Sequence, residues 1–265
     1  MRNRRTQGLI SLILLAFIGF ASCEEDENII YPEVDPFDRL VVAQNVTVKL
    51  MNGTPGLSVS GSGDLSSVQL VVSDGILTIA LSNPGAAQNV VVDIVHNDML
   101  SVSGTQNSRV NFASDFSTSS NTLTVSAFNA TAIYSYHTIT ADTLDIRLSD
   151  EAFVGFSQVE VIKNKLSMYS ETLCFLEGTA NDQLIEMTDG SYYNLDDRES
   201  GWAFSVPLQA ENTWVEVRNG SMAWVQSTAY LNALGTTGSM VYYKGDPATI
   251  EENMTNGAEL IQKNE

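Results

Sequence analysis

The sequence is poor in the residues that build reactive centres and covalent cross-links. It has two cysteines and two histidines in 265 residues, so a histidine-rich metal site is impossible and no cluster has zinc-site spacing. No glycine-rich phosphate loop and no Gly-x-Ser-x-Gly turn of a nucleophilic serine occurs. We therefore expect a protein that is not an enzyme and that holds no cofactor and no metal.

Basic residues are also scarce. The chain has 13 lysines and arginines against 32 acidic residues, a net charge of −19. Three of the arginines lie in residues 1–22, and without that segment ten basic side chains face 32 acidic ones, a net charge of −22. Because such a charge repels nucleic acid and anionic lipid surfaces, we expect no nucleic-acid partner.

The acidic residues are densest between positions 182 and 199. The set comprises Asp182, Asp189, Asp196, Asp197 and Glu199. Only Arg198 stands among them, and no calcium-loop motif is present. We interpret these acids as solvated turn residues, and a weak calcium site is the alternative.

The N-terminus reads as a secretion signal. Arginines at positions 2, 4 and 5 precede an apolar run over residues 9–21, which is too short to span a bilayer comfortably. Residues 20–23 (FASC) resemble a lipobox, so we expect a signal peptide over 1–22 and lipidation of Cys23. The alternative is a simple secretion signal followed by an ordinary cysteine.

An acidic run, residues 24–27 (EEDE), follows directly. It resembles the export signal that directs lipoproteins of Bacteroidetes-type bacteria to the outer face of the outer membrane. The alternative is a plain solvated tether. Both interpretations predict a flexible acidic arm over residues 23–36, and the first places the protein on the cell exterior.

With Cys23 lipidated, Cys174 is the last thiol and no intrachain disulfide is possible. The fold must then be held by its own apolar core, and 243 mature residues suffice for one.

The mature chain repeats itself. Short alternating segments are separated by Asn, Asp, Gly, Ser and Thr, a pattern typical of strands and turns. Starting from Leu100, Leu123, Leu144 and Leu166, positions two, four, eight and ten residues further on are apolar or small, and those six further on are polar. A unit of about 22 residues cannot bury its inward face alone, so stacking of units is expected.

This pattern predicts an all-β fold, a β-solenoid (β-helix) of about ten turns. Its frame places Cys174 on the inward side, at the small position of Ala152 and Thr131. The alternative is an antiparallel β-sandwich, which also has many short strands but less regular spacing.

Residues 37–250 resemble the putative auto-transporter adhesin head GIN domain family, a domain of unknown function. The opening FDRLVV (37–42), the segment LTI (77–79) and above all the closing GSMVYYKGDP (238–247) carry the resemblance. Residues 101–105 have fewer glycines than the family pattern, and 196–202 look like an insertion. The resemblance implies a right-handed, single-stranded β-helix on the bacterial surface, without established catalytic residues. Residues 251–265 are expected to be a C-terminal cap or a loose tail.

Aromatic residues are the candidate ligand contacts. Side-chain alternation places Trp214 and Trp224 off the inward frame, where the two rings could form one platform for a sugar or a protein. Tyr134 and Tyr136 are the other candidates. The alternative is that these rings cover an apolar rim or pack under the 196–212 segment.

Together these features predict a lipid-anchored outer-membrane protein with a non-catalytic domain for adhesion or for contact with a polysaccharide or a protein. The N-terminal anchor makes membrane lipid one partner. The alternatives are a surface enzyme acting on polysaccharide and a purely structural envelope protein.

Overall fold

The computed structural model describes residues 28–118, 120–195 and 206–263. These residues form one 20-stranded β arrangement, with a single 3-10 helix at Leu65–Ser67. The strands are β1 (Asn28–Ile30), β2 (Arg39–Val42), β3 (Thr47–Met51), β4 (Gly56–Gly63), β5 (Val68–Ser73), β6 (Ile76–Leu81), β7 (Ala87–Val95), β8 (Ser101–Gly104), β9 (Arg109–Phe112), β10 (Phe116–Ser117), β11 (Thr122–Phe128), β12 (Ala132–Ser149), β13 (Phe153–Met168), β14 (Leu173–Met187), β15 (Tyr192–Tyr193), β16 (Gln209–Val217), β17 (Met222–Gly235), β18 (Met240–Lys244), β19 (Thr249–Met254) and β20 (Glu259–Gln262).

From β8 onwards the strands stack in parallel, each turn on the one before it. This confirms the β-solenoid and rejects the β-sandwich, in which neighbouring strands would be antiparallel. One inward column runs through consecutive turns and consists of Val125, Ile146, Leu166, Ile185, Val215 and Ala233. Its members are at most 4% exposed, so the stack buries a continuous apolar core.

The solenoid has about seven turns, and the expected ten was wrong. The expectation divided residues 37–250 evenly into units of about 22. In the structure, β4 and β7 pair antiparallel, as do β5 and β6, so this part of the chain does not wind as successive parallel turns.

The predicted register is confirmed from Val102 through Val125 to Ile146, but it is wrong by two residues at the next turn. Leu144 pairs with Asn164 and Ile146 with Leu166, so the repeat at this point is 20 residues. Because side chains in a strand alternate with period two, a slip of two residues leaves the inward and outward sets unchanged. Cys174 is therefore inward and fully buried, as predicted, but it pairs with Val154 and not with Ala152.

The long strands bend round the solenoid. In β12 the alternation of buried and accessible side chains holds along 132–135, 138–141 and 143–149, and it slips at the two corners between them. We call the outer side of 143–149 and of its parallel partners face A. The corresponding sides of 132–135 and of 138–141 with their partners are face B and face C.

A two-residue turn in the left-handed conformation joins face A to face B in every turn. Asn129 and Ala130, for example, have φ values of 51° and 57°. The Ala130 N–H donates to the Asp150 carbonyl at 2.8 Å, and equivalent bonds link the turns above and below. Asn, Asp and Gly tolerate this conformation, which explains the polar position of the repeat.

The N-terminal end is built out of sequence order. β2 lies between β6 and β8, and β3 lies between β7 and β9. β1 pairs antiparallel with β4, with Asn28 opposite Gly61. We call this N-terminal end of the solenoid the cap. Residues 28–30 form a strand of the cap, because their backbone groups pair with β4. The flexible arm expected over residues 23–36 was therefore wrong for these three residues. Residues 1–27, including the predicted signal peptide, Cys23 and the acidic run, lie outside the described residues.

The C-terminal strands continue the solenoid. β19 pairs in parallel with β17, and β20 pairs with β18. Residues 251–262 are thus part of the last turn. None of the described segments forms a helix that is long and apolar enough to cross a membrane.

Candidate ligand-contact surfaces

Few of the described side chains are suited to catalysis or to metal binding. No group of three or more His, Cys, Asp and Glu side chains within 28–118, 120–195 and 206–263 is arranged to hold a metal ion. Burial raises the pKa of the Cys174 thiol well above its usual range and does the same for the Tyr193 phenol. Both groups are fully buried, so these pKa shifts reflect desolvation in the core and not a solvent-facing site.

The acids singled out from the sequence lie apart where they are described. Asp182 is on face A and accepts a hydrogen bond from Asn212 Nδ2 at 3.0 Å. Asp189 is in a corner turn and accepts from Asn219 Nδ2 at 2.8 Å. The remaining members of the set (Asp196, Asp197 and Glu199) and the predicted insertion at 196–202 lie outside the described residues.

The two candidate tryptophans are on different faces. Trp214 lies in β16 on face A and is 39% exposed. Trp224 follows the next corner turn and lies on face B, where it pairs with Tyr242. Its ring is half-buried, and its Nε1 makes no hydrogen bond to any described residue. The single platform of two tryptophans was therefore wrong, because a corner of the solenoid separates them.

The two candidate tyrosines are close to each other. The rings of Tyr134 and Tyr136 contact edge to face, with centroids 6.2 Å apart. Tyr134 is on face B, the face of Trp224, and Tyr136 is 60% exposed at the corner between faces B and C. The adjacent outward column of face B contains several apolar, half-buried side chains, among them Phe153, Leu173, Met222 and Met240.

Trp214 has polar and aromatic neighbours that the sequence did not reveal. The Tyr230 ring lies 5.4 Å from the Trp214 ring, centroid to centroid, at an angle of 49°. The Tyr230 hydroxyl donates to Glu251 Oε2 at 2.8 Å. Asn232 Nδ2 donates to the same carboxylate oxygen at 3.0 Å and to the Tyr230 hydroxyl at 3.2 Å. These bonds fix the Tyr230 ring beside the indole.

A shallow groove of about 430 Å³ runs beside the indole across neighbouring turns of face A. We call it the Trp214 groove. Its outward-facing lining residues are Lys165, Ser167, Leu184, Glu186, Trp214, Glu216, Asn232 and Leu234. Leu184 and Asn232 stand directly on either side of Trp214 in the parallel ladder, and both are smaller than the indole, so its ring borders the groove.

The charges of the groove are of both signs. Glu216 forms an ion pair with Arg218, and Lys165 stands two turns away from Trp214. An exposed indole with amide, carboxylate and ammonium groups around it offers a flat apolar surface and several hydrogen-bonding groups. Such a surface stacks on the C–H face of a sugar ring while its neighbours bind the hydroxyls.

Comparison with known proteins agrees with the family resemblance seen in the sequence. The profile described as "Putative auto-transporter adhesin, head GIN domain" matches residues 36–247. A search of curated proteins finds no match.

Solved structures share the fold at low sequence identity. A structure described as a putative adhesin from Parabacteroides merdae has a TM-score of 0.76 and 14% identity, covering 89% of this chain and 96% of that one. A putative adhesin from Parabacteroides distasonis has a TM-score of 0.71 and 15% identity, covering 91% and 95%. A protein described as a putative lipid binding protein from the same species has a TM-score of 0.71 and 12% identity, covering 91% and 98%.

Proposed function

Since this chain belongs to the putative auto-transporter adhesin head GIN domain family, we propose that it is a non-catalytic, cell-surface binding protein whose Trp214 groove contacts saccharide. The observation that carries the proposal is the exposed indole of Trp214 with Tyr230 fixed beside it. An aromatic side chain exposed on a polar face adds nothing to the core, whereas large, rigid aromatic rings are the residues that most often anchor binding.

The absence of turnover is part of the proposal. Two of the three carboxylates near Trp214 already have partners: Arg218 for Glu216, and Tyr230 with Asn232 for Glu251. The third, Glu186, is the ladder neighbour of Glu216 on the same face. Glycoside hydrolysis requires two carboxyl groups on opposite sides of one bond, one of which is protonated near neutral pH.

Attachment to the membrane through lipidated Cys23 extends the proposal to location. Four residues lie between Cys23 and Asn28, the first residue of β1, and the five steps from one Cα to the next span at most about 18 Å. Because β1 pairs with β4 in the cap, an anchor at Cys23 holds the cap near the lipid. The seven or so turns then extend away from it by about 34 Å, and the Trp214 groove is near the far end.

Binding is tested on the mature chain with Cys23 replaced by serine, applied to an array of defined oligosaccharides and incubated with the positives in a reducing-sugar assay. We expect binding without sugar release. Trp214→Ala should lose at least about ten-fold in affinity, about 1.4 kcal/mol. Tyr169→Ala, which removes another exposed ring (40%) at a corner turn, is the matched control and should bind normally. Sugar release would make the protein an enzyme, and no binding at all would favour a structural role.

Anchoring is tested by metabolic labelling with a clickable palmitate in a Bacteroidetes host. Cys23→Ala should abolish labelling, whereas Cys174→Ala, the only other cysteine, should leave it intact. Protease added to intact cells should cleave the wild-type chain. Substitution of residues 24–27 by serine should protect the chain from that protease if the acidic run directs export to the outer leaflet. Labelling that survives Cys23→Ala would contradict the lipid anchor.

A further inference from the structure

Three consecutive turns of the solenoid carry polar side chains at a core position that is leucine in the flanking turns. The column behind face A runs Leu144, Asn164, Gln183, Thr213, Leu231. All five are at most 2% exposed. Polar side chains this deeply buried need hydrogen-bond partners, because they have left water behind.

The partners found within the protein are too few. Gln183 Nε2 donates to the Tyr193 hydroxyl at 2.5 Å across the core. Neither amide atom of Asn164 bonds to any described residue, and the same holds for Gln183 Oε1 and Thr213 Oγ1. Asn164 and Gln183 are direct neighbours in the ladder, yet the Gln183 amide is turned towards Tyr193 and not towards Asn164.

Several side chains next to these atoms are small. Asn164 and Thr213 are smaller than the leucines that flank the column. Their turns also carry small residues at the inward position behind face B, Cys174 and Ala223, where the turn of Gln183 carries Tyr193. A buried water molecule occupies about 30 Å³ and requires two to four polar partners.

The spacing of the turns suits water as the bridge. Adjacent turns lie ~4.8 Å apart. Two polar atoms at equivalent positions in adjacent turns are therefore too far apart to hydrogen-bond directly. A water molecule about 2.8 Å from each of them, with a near-tetrahedral angle, spans that separation. Water both donates and accepts hydrogen bonds. It can therefore bond to the donor and the acceptor of the Asn164 amide and to the unpartnered oxygens Gln183 Oε1 and Thr213 Oγ1.

We propose that the solenoid interior contains a hydration site in which ordered water bridges Asn164, Gln183 and Thr213. This site is separate from the Trp214 groove, because the side chains of Thr213 and Trp214 point to opposite sides of β16. It makes the middle turns a polar, solvent-containing section of the column that is leucine in the flanking turns.

The test is a high-resolution crystal structure of the wild-type mature chain, combined with water–amide Overhauser spectra of the 15N-labelled protein. We expect a density peak 2.7–3.2 Å from an Asn164 amide atom and from Gln183 or Thr213. We also expect a cross-peak from long-lived water to the Asn164 side-chain NH2 group. The side chain of Asn212 on face A, which donates to Asp182, is the surface control and should show only short-lived water.

Asn164→Leu, which restores the flanking residue type, should also remove the density peak beside Gln183 and Thr213, while the far-ultraviolet spectrum stays unchanged. A direct Asn164–Gln183 amide bond without water in the wild-type structure would overturn the proposal, as would the absence of the cross-peak. Both results come from the wild-type chain, so the proposal can be refuted even if the variant does not fold.

Discussion

The inward and outward columns of face A belong to the same strands but follow different rules. The inward column from Val125 to Ala233 is apolar in every turn and almost fully buried. The adjacent outward column changes character at each turn and reads Asp145, Lys165, Leu184, Trp214, Asn232 and Glu251. Stacking requires each inward side chain to pack on the turns above and below, whereas a position that faces solvent tolerates almost any side chain. The inward columns therefore encode the fold, and the outward columns are free to encode binding.

The largest loss of stability is expected from Gly178→Ala, which disrupts the close contact between two turns. Gly178 has a φ of +132°, and a Cβ there would collide with the backbone carbonyl oxygen of Val159 in the turn above. We expect a loss of about 3–5 kcal/mol in the free energy of unfolding, measured by urea denaturation. Gly220→Ala is the control: its φ is +73° but its Cβ would meet nothing within 4 Å, so only about 1 kcal/mol should be lost. Equal losses in the two variants would contradict the close approach at Gly178.

Substitutions at neighbouring positions of β13 compare the inside and the outside directly. Leu166→Ala removes a core side chain that is 2% exposed and should cost about 2–5 kcal/mol. Lys165→Ala, one residue earlier and directed outwards, should change the unfolding free energy by less than about 0.5 kcal/mol. The measurement is again urea unfolding at pH 7. If the two variants were equally destabilised, the assignment of inward and outward columns would be wrong.

Alkaline pH should weaken the interior through Cys174. The buried thiol keeps its proton in the folded state because burial raises its pKa, whereas the unfolded thiol releases its proton above about pH 9. Above that pH the unfolded state binds fewer protons than the folded state, so stability falls as pH rises, by about 1.4 kcal/mol per unit for this group. Tyr193 adds to the fall from about pH 10 for the same reason.

Urea midpoints between pH 7 and 10.5 would show this fall. In Cys174→Ala the stability should decrease less steeply with pH above about pH 9. The fully buried thiol should also resist a disulfide reagent at pH 8 until the protein unfolds. Rapid labelling under native conditions would contradict its burial.

A small effect on stability is also expected from Trp214→Ala. The indole is 39% exposed and directed outwards, so the melting temperature should change by no more than about 2 °C. The affinity for saccharide should nevertheless fall at least ten-fold. A large fall in melting temperature would indicate that Trp214 serves packing and not binding.

The sequence was sufficient for the fold class and for the inward or outward direction of many side chains. Alternation by two predicted the burial of Cys174 and the outward direction of Trp214. It could not supply the register at every turn, because a slip of two residues preserves that alternation. The slip hid the column of Asn164, Gln183 and Thr213, which in the predicted frame were not aligned.

The non-sequential cap was also beyond the sequence. Nothing in the segments of β2 and β6 distinguishes a strand that stacks on its sequence neighbour from one that stacks on a later strand. The neighbours of Trp214 were missed because alternation along one strand does not show which residues of other strands lie beside it. Tyr230 and Glu251 are 16 and 37 residues away, and only the pairing of β16 with β17 and of β17 with β19 brings them together.

The measurement that tests the central claim most directly is a titration followed through the indole Nε1–H signals in 15N–1H spectra of the mature chain. Signals are assigned with Trp214→Phe and Trp224→Phe, and the titrant is an oligosaccharide that binds on the array. Binding in the Trp214 groove predicts that the Trp214 signal shifts in a saturable way while the Trp224 signal on face B stays in place. A saturable shift of Trp224 with an unchanged Trp214 would place the contact on face B and contradict the proposal.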